Sequence, residues 1–146
     1  MDTLHLLASL QWSTDLSVGC EALDKRNRSM LDVLSAREKI IATVTGQDLS
    51  GWLANTLDQF DDLLSAEETE LAAVDYPELD FHRKLHDQGR TIAGNMRAQL
   101  RTCDSDTALI LLTCAGCASI ALWFVRHVQD ADPFFYPYVD VRYRTS

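Results

Sequence analysis

The sequence predicts an all-α protein, an up-down-up-down antiparallel four-helix bundle with an N-terminal arm and a short C-terminal tail. Apolar residues recur at spacings of three and four through four long segments, as they do on one face of a helix. The connections between these segments are short, which favours antiparallel neighbours. The 146 residues, 47% hydrophobic and 24% charged, can bury the core of one globular domain. We therefore expect a single domain over residues 1–146.

The first two helices are predicted at about residues 19–44 and 49–74. Their inward-facing stripes are apolar: Leu23, Met30, Leu31, Leu34 and Ile41 in the first, and Leu53, Leu57, Phe60, Leu64, Leu71 and Val74 in the second. The stretch "TGQD" is a turn between them, and Asp48 at its end is a suitable N-cap for the second helix.

The last two helices are predicted at about residues 78–101 and 107–130. Pro77 separates the third helix from the second, because proline disfavours helix at the preceding residue and suits the first turn of a new helix. The stretch "CDSD" supplies polar caps before the fourth helix. The first eighteen and last fourteen residues do not follow helical periodicity. We expect the aromatic C-terminal tail to lie along the bundle or on a neighbouring molecule.

The apolar window at residues 108–125 is long enough for a membrane span to be considered. It contains Thr113, Gly116 and Ser119 and ends in the basic residues Arg126 and His127. Because it also stands alone in a chain otherwise patterned as soluble, we interpret it as a buried core helix.

The charge balance argues against nucleic acid and anionic membranes as partners. With 22 acidic and 13 basic residues the net charge is −9, so the surface would repel phosphate backbones and anionic lipid. No secretory signal is recognisable near the N-terminus, and we expect the protein to be cytoplasmic.

The four cysteines do not predict a disulfide framework in a chain of this size without a secretion signal. Cys114 and Cys117 form a C-x-x-C pattern inside a predicted helix, and we interpret both as small packing residues. Cys20, beside the start of the first helix, is expected to be more accessible.

Five residues are candidate metal ligands. His82 and His86 lie four apart in the third helix, so they project from one face and can chelate one ion. His127 lies on the fourth helix, Asp132 follows at its end, and Glu67 continues the apolar stripe of the second. All five can converge inside one bundle.

Each candidate also has an ordinary interpretation. A single histidine on an apolar face is more often a satisfied core residue, and Glu67 could be a solvated member of the acidic stretch "EETE". The five residues taken together favour a metal site over these ordinary interpretations, because burying Glu67 and Asp132 together without a cation would be costly.

Three separated motifs give the chain a family resemblance. They are Trp12 followed by "SVGCEALD", then "EETEL" with "YPELDFHRKLH", and finally "WFVRHVQDAD". From Trp12 to about Phe134 the chain resembles the hemerythrins, di-iron oxygen-binding four-helix bundles. The resemblance implies that His82, His86 and His127 match the three histidines of one iron, and that Glu67 and Asp132 match the two bridging carboxylates.

The chain departs from the family pattern at two ligand positions. Asn27 occupies the histidine position of the first helix, and Leu63 occupies the one that precedes Glu67. The resemblance implies that both missing ligands belong to the same iron, so reversible oxygen carriage at a di-iron centre is not expected. Asp24, one turn before Asn27, is expected at the surface or as outer support for the site.

Two functions of different classes follow. The first is a hemerythrin-like, non-haem metal-binding protein that binds or senses dioxygen or a related small oxidant at an incomplete iron site. We favour one ion per chain, with manganese or zinc as other candidates; a second site completed by Asn27 and water stays open. The alternative is a metal-free four-helix interaction or signalling module that has lost oxygen binding. It would contact a protein partner or a second copy through the aromatic tail. An enzyme is a weaker third alternative.

Overall fold

The computed structural model describes residues 12–13, 16–18, 21–132, 134–135 and 137–139. The described chain is helical, and no strand occurs within those ranges. Its five helices pack against one another: α1 Glu21–Ser35, α2 Arg37–Thr43, α3 Gly46–Ala73, α4 Leu79–Thr102 and α5 Asp106–Asp130. The all-helical prediction is confirmed. Most of the predicted N-terminal arm, Cys20 and residues 140–146 lie outside the described residues.

The first predicted helix is interrupted, and its prediction as one segment over 19–44 is wrong. Helix α1 ends at Ser35, and α2 begins at Arg37. Between them the amide of Ala36 is shared between the carbonyl oxygens of Asp32 and Val33, at 3.0 and 3.2 Å. Nη1 of the buried Arg37 donates to the carbonyl oxygen of Leu34 at 3.1 Å. That carbonyl is the acceptor an uninterrupted helix would offer to a backbone amide, so the side chain competes with the helix.

Helix α3 begins three residues before its predicted start at residue 49, so the prediction of Asp48 as its N-cap is wrong. Thr45 is the N-cap, without a side-chain hydrogen bond, and Gly46 follows with a φ of +58°. Asp48 lies in the first turn, where a carboxylate still interacts favourably with the helix dipole. The helix ends at Ala73, and Asp75 has a φ of 53°.

Helices α4 and α5 agree with the predicted bounds to within one residue at each end. Ser105 caps α5 by accepting a hydrogen bond from the amide of Ala108 at 3.1 Å, which confirms the capping role of "CDSD". By length and composition alone, α5 could cross a membrane. Within this structure ten of its residues are buried, and these pack against the other helices.

The core is a continuous apolar cluster to which all the long helices contribute. It contains most of the predicted inward-facing residues, although Ile41 and Val74 are only partly buried. Of the C-x-x-C pair, Cys117 is fully buried and Cys114 is exposed. The packing role is therefore confirmed for Cys117 alone, and burial raises the pKa of its thiol to about 12.

The segment after α5 returns to the core. Residues 134–135 and 137–139 are helical, so the prediction that helical structure stops before the tail is wrong for them. Phe135 and Val139 are each 1% exposed, whereas Phe134 is 71% exposed.

Candidate metal centre

Four buried side chains from three helices meet in the interior. Glu67 comes from α3, His82 and His86 from α4, and His127 from α5. One potential ligand atom from each lies within 4.8 Å of the others. The two α4 histidines share a face because they are one turn apart.

Three of the four short distances between these ligand atoms suit one shared ion. Oε1 of Glu67 lies 2.6 Å from Nε2 of His82, 3.0 Å from that of His86 and 3.4 Å from that of His127. The Nε2 atoms of His86 and His127 are 3.1 Å apart. Adjacent ligands at about 2.1 Å from one ion are separated by roughly 3.0–3.4 Å, depending on the bond angle. The three longer distances match this spacing, whereas the 2.6 Å contact between Glu67 and His82 is a hydrogen bond. The donor set of imidazole nitrogens and a carboxylate oxygen fits iron, manganese or zinc.

Asp132 lies beside this cluster rather than within it. Its Oδ1 is 3.1 Å from Nε2 of His127 and 3.8 Å from Nε2 of His82. The residue is 1% exposed, and its Oδ2 atom has no hydrogen-bond partner among the described residues. A buried carboxylate in this state is costly, and a cation near His127 would remove the cost. The residues present therefore fit a metal ion.

The pKa shifts show that the two buried carboxylates act on the histidines and on each other. Burial favours the neutral acid, but hydrogen bonds from the three imidazoles outweigh it and hold the pKa of Glu67 well below its usual value. Burial also opposes protonation of His127, but contacts with Asp132 and Glu67 raise its pKa to about 9. Burial and the charge of Glu67 raise the pKa of Asp132 to about 7. The two carboxylates thus compete for positive charge, which a bound cation would supply.

Glu68 fixes the ring of His86 from outside the cluster. Nδ1 of His86 lies 3.1 Å from Oε2 of Glu68. With an ion bound, an Nδ1–H that donates to this carboxylate would leave the Nε2 lone pair of His86 free for the ion. Arg90 in turn donates to Glu68. Sequence reasoning assigned no role to Glu68. The adjacent pair "EE" was the sequence signal for this role. Consecutive residues of a helix point about 100° apart, so two adjacent glutamates can contact different sides of the same histidine.

Aromatic rings enclose the imidazoles. The Trp123 ring stacks on His127, with centroids 4.8 Å apart and an interplanar angle of 11°. Phe135 meets His82 edge-on at 5.3 Å. Gly89 lies beneath Trp123, because a Cβ there would stand only 2.8 Å from a ring carbon. This enclosure limits water at the site and holds the rings in place.

The two predicted degenerate positions are both buried. Asn27 is 1% exposed, and its amide oxygen has no hydrogen-bond partner among the described residues. Leu63 is part of the apolar core and carries no ligating atom. Asp24 accepts a hydrogen bond from the amide of Val18 at 2.9 Å and one from Ser17. Asp24 therefore fixes the chain segment that leads into α1.

Two surface pockets reach the imidazoles between α4 and α5. One of about 260 Å³ contacts His82, and one of about 440 Å³ contacts His127. Leu85 and Ala131 line both pockets, so they lie between the two openings. A larger pocket of about 770 Å³ lies further along the same helices near Gly116 and does not contact the histidines.

The fold and site define an all-helical protein with a buried Glu/His cluster that could hold a metal ion. No protein-family model, curated protein or solved structure matches the chain.

Proposed function

We propose that the protein is a hemerythrin-like, non-haem metal-binding protein of the cytoplasm that holds one ion, preferably iron, and binds or senses dioxygen or a related small oxidant. Glu67, His82, His86 and His127 would ligate the ion, and Asp132 would complete the site. When bound, iron would supply redox chemistry and an open coordination position for a small oxidant. The protein residues hold the ligand atoms, balance charge and restrict water.

One observation carries this proposal: the Nε2 atoms of three histidines surround a single carboxylate oxygen of Glu67 at 2.6–3.4 Å. Four polar side chains converging in an apolar interior are costly unless they satisfy one another or a ligand. The buried Oδ2 atom of Asp132, which has no hydrogen-bond partner among the described residues, favours the ligand.

The proposed architecture is the up-down-up-down four-helix bundle, with α1 and α2 together as its first helix. Contacts link α1 to α3, α3 to α4, α4 to α5, and α5 back to α1. Such a closed ring of contacts is what a four-helix bundle requires.

A single ion is favoured over two because two of the family's ligand positions carry other side chains. Leu63 cannot ligate a metal, and Asn27 offers only an amide oxygen. The two pockets that reach His82 and His127 supply routes for a small molecule from solvent.

The alternative function is a metal-free interaction module that contacts a protein partner or a second copy. Exposed aromatic residues favour it: Phe81, Phe134 and Tyr138 are 59%, 71% and 44% exposed. Phe81 and Phe134 line the same pocket, and clustered apolar exposure is typical of interaction surfaces.

The test is elemental analysis of anaerobically purified protein, followed by optical spectra before and after exposure to air. We expect about one ion per chain in the wild type and less than about a tenth of that in His82→Ala, because removing one of few ligands weakens binding by orders of magnitude. Lys84→Ala is the matched control, since Lys84 is exposed on the same helix.

Two ions per chain would contradict the single-ion proposal. No ion in a folded wild-type protein, with folding monitored by circular dichroism, would favour the interaction module instead.

A further inference from the structure

A positive side chain lies on the far side of the Glu67 carboxylate. Oε1 of Glu67 faces the three imidazoles, whereas Oε2 lies 3.9 Å from Nη2 of Arg26. The carboxylate therefore has a cluster of ligand atoms on one side and a guanidinium on the other.

Arg26 is held in this position by a second acid from the same helix as Glu67. Nη1 of Arg26 donates to Oε1 of Glu70 at 3.1 Å, and the Arg26 side chain is only 23% exposed. Its Nε and Nη2 atoms are buried without a hydrogen-bond partner among the described residues. Arginine is suited to this role because its guanidinium keeps its charge at all ordinary pH values and hydrates weakly.

The contact with Glu67 is an attraction between charges rather than a hydrogen bond. At 3.9 Å it leaves the guanidinium unable to satisfy Glu67 fully, yet close enough to act on it strongly in a partly buried setting. A cation bound on the Oε1 side would experience Arg26 as a nearby like charge. Arg26 and the metal therefore compete for the charge of one carboxylate.

We propose that Arg26 is a built-in counter-cation that stabilises Glu67 before metal binds and lowers the affinity of the centre for its ion. This inference rests on the proposed function, because it concerns the regulation of the same site. Arg26 acts here as a positioning residue through Glu67. The centre is thereby tuned to release its ion more readily than its ligand set alone would allow.

The test compares Zn²⁺ affinity and thermal stability in the full chain of wild type, Arg26→Gln, Arg26→Lys and Lys25→Gln. Zinc is a suitable probe because it is not redox-active and binds nitrogen-rich sites more tightly than iron or manganese. Lys25→Gln is the matched control, since it removes one positive charge from an exposed neighbour on α1.

We expect Arg26→Gln to melt at a lower temperature without zinc and to bind zinc about tenfold more tightly, as loss of a nearby, partly screened like charge predicts. Arg26→Lys keeps the charge, so its affinity should stay within about threefold of wild type. Lys25→Gln should leave both the melting temperature and the affinity unchanged.

An ordinary interhelical salt bridge between Arg26 and Glu70 would make Arg26→Gln less stable without tightening zinc binding, and that result overturns the inference. Equal tightening in Lys25→Gln and Arg26→Gln also overturns it, since the effect would then reflect general surface charge. If wild-type protein binds no zinc, the proposed function itself fails.

Discussion

At the scale of single residues, the cluster of candidate ligands Glu67, His82, His86 and His127 was predictable and its supporting contacts were not. The spacing of His82 and His86 implies a shared helix face, and the apolar stripe around Glu67 implies that it points inward. Neither pattern indicates which side chain from a different helix contacts the imidazole or the carboxylate on the side away from the cluster. Glu68 and Arg26 were missed for this reason, because their roles depend on contacts between helices.

Glu68→Gln is expected to weaken zinc binding by about 10- to 100-fold, the usual effect of removing the partner that orients a ligating histidine. The neutral side chain accepts a weaker hydrogen bond from Nδ1 of His86 and so makes the imidazole a poorer donor to metal. Calorimetric titration with Zn²⁺ measures the change. Asp62→Asn, which changes an exposed acid on the same helix, is the control. Equal zinc affinities in the two variants would show that Glu68 does not support the site.

At the scale of helices, hydrophobic spacing predicted α4 and α5 almost to the residue. It could not predict the interruption near Ala36, where a buried arginine side chain donates to a helix carbonyl oxygen, because apolar periodicity carries no information about where a long polar side chain folds back. Helix packing likewise depends on residues that sequence periodicity treats as neutral. Gly89 is such a residue, since its missing side chain leaves room for Trp123 against α4.

Gly89→Ala is expected to destabilise the protein by about 1–3 kcal/mol, because the added methyl group overlaps a rigid indole ring. Gly94→Ala on the same helix meets no atom within 4 Å and should stabilise by up to about 1 kcal/mol through helix propensity. Urea denaturation of both variants measures the difference. Opposite signs are the expected signature, and a neutral or stabilising Gly89→Ala would contradict the packing argument.

At the scale of the whole molecule, the segment after α5 contributes Phe135 and Val139 to the core. Phe135 from that segment contacts both His82 and Tyr76, so it links the tail, the site and the connection between α3 and α4. The aromatic composition of the tail predicted that it would lie along the bundle or on a neighbouring molecule. Composition could not separate Phe134 from Phe135, because that requires the local backbone direction.

Phe135→Ala is expected to cost about 3–5 kcal/mol of unfolding free energy, the usual range for truncating a buried phenylalanine. Phe134→Ala, one residue away and exposed, should change it by no more than about 0.5 kcal/mol. Chemical denaturation at matched metal content measures both. Similar costs for the two variants would show that the tail does not complete the core.

The stacking of Trp123 on His127 has an optical consequence. The fluorescence of an indole stacked on an imidazole depends on the charge of that imidazole. A paramagnetic ion bound to the imidazole can quench this fluorescence. Trp12 and Trp52 are the other two fluorophores of this type in the chain. The protein thus carries an intrinsic fluorescent reporter, Trp123, beside its candidate metal centre.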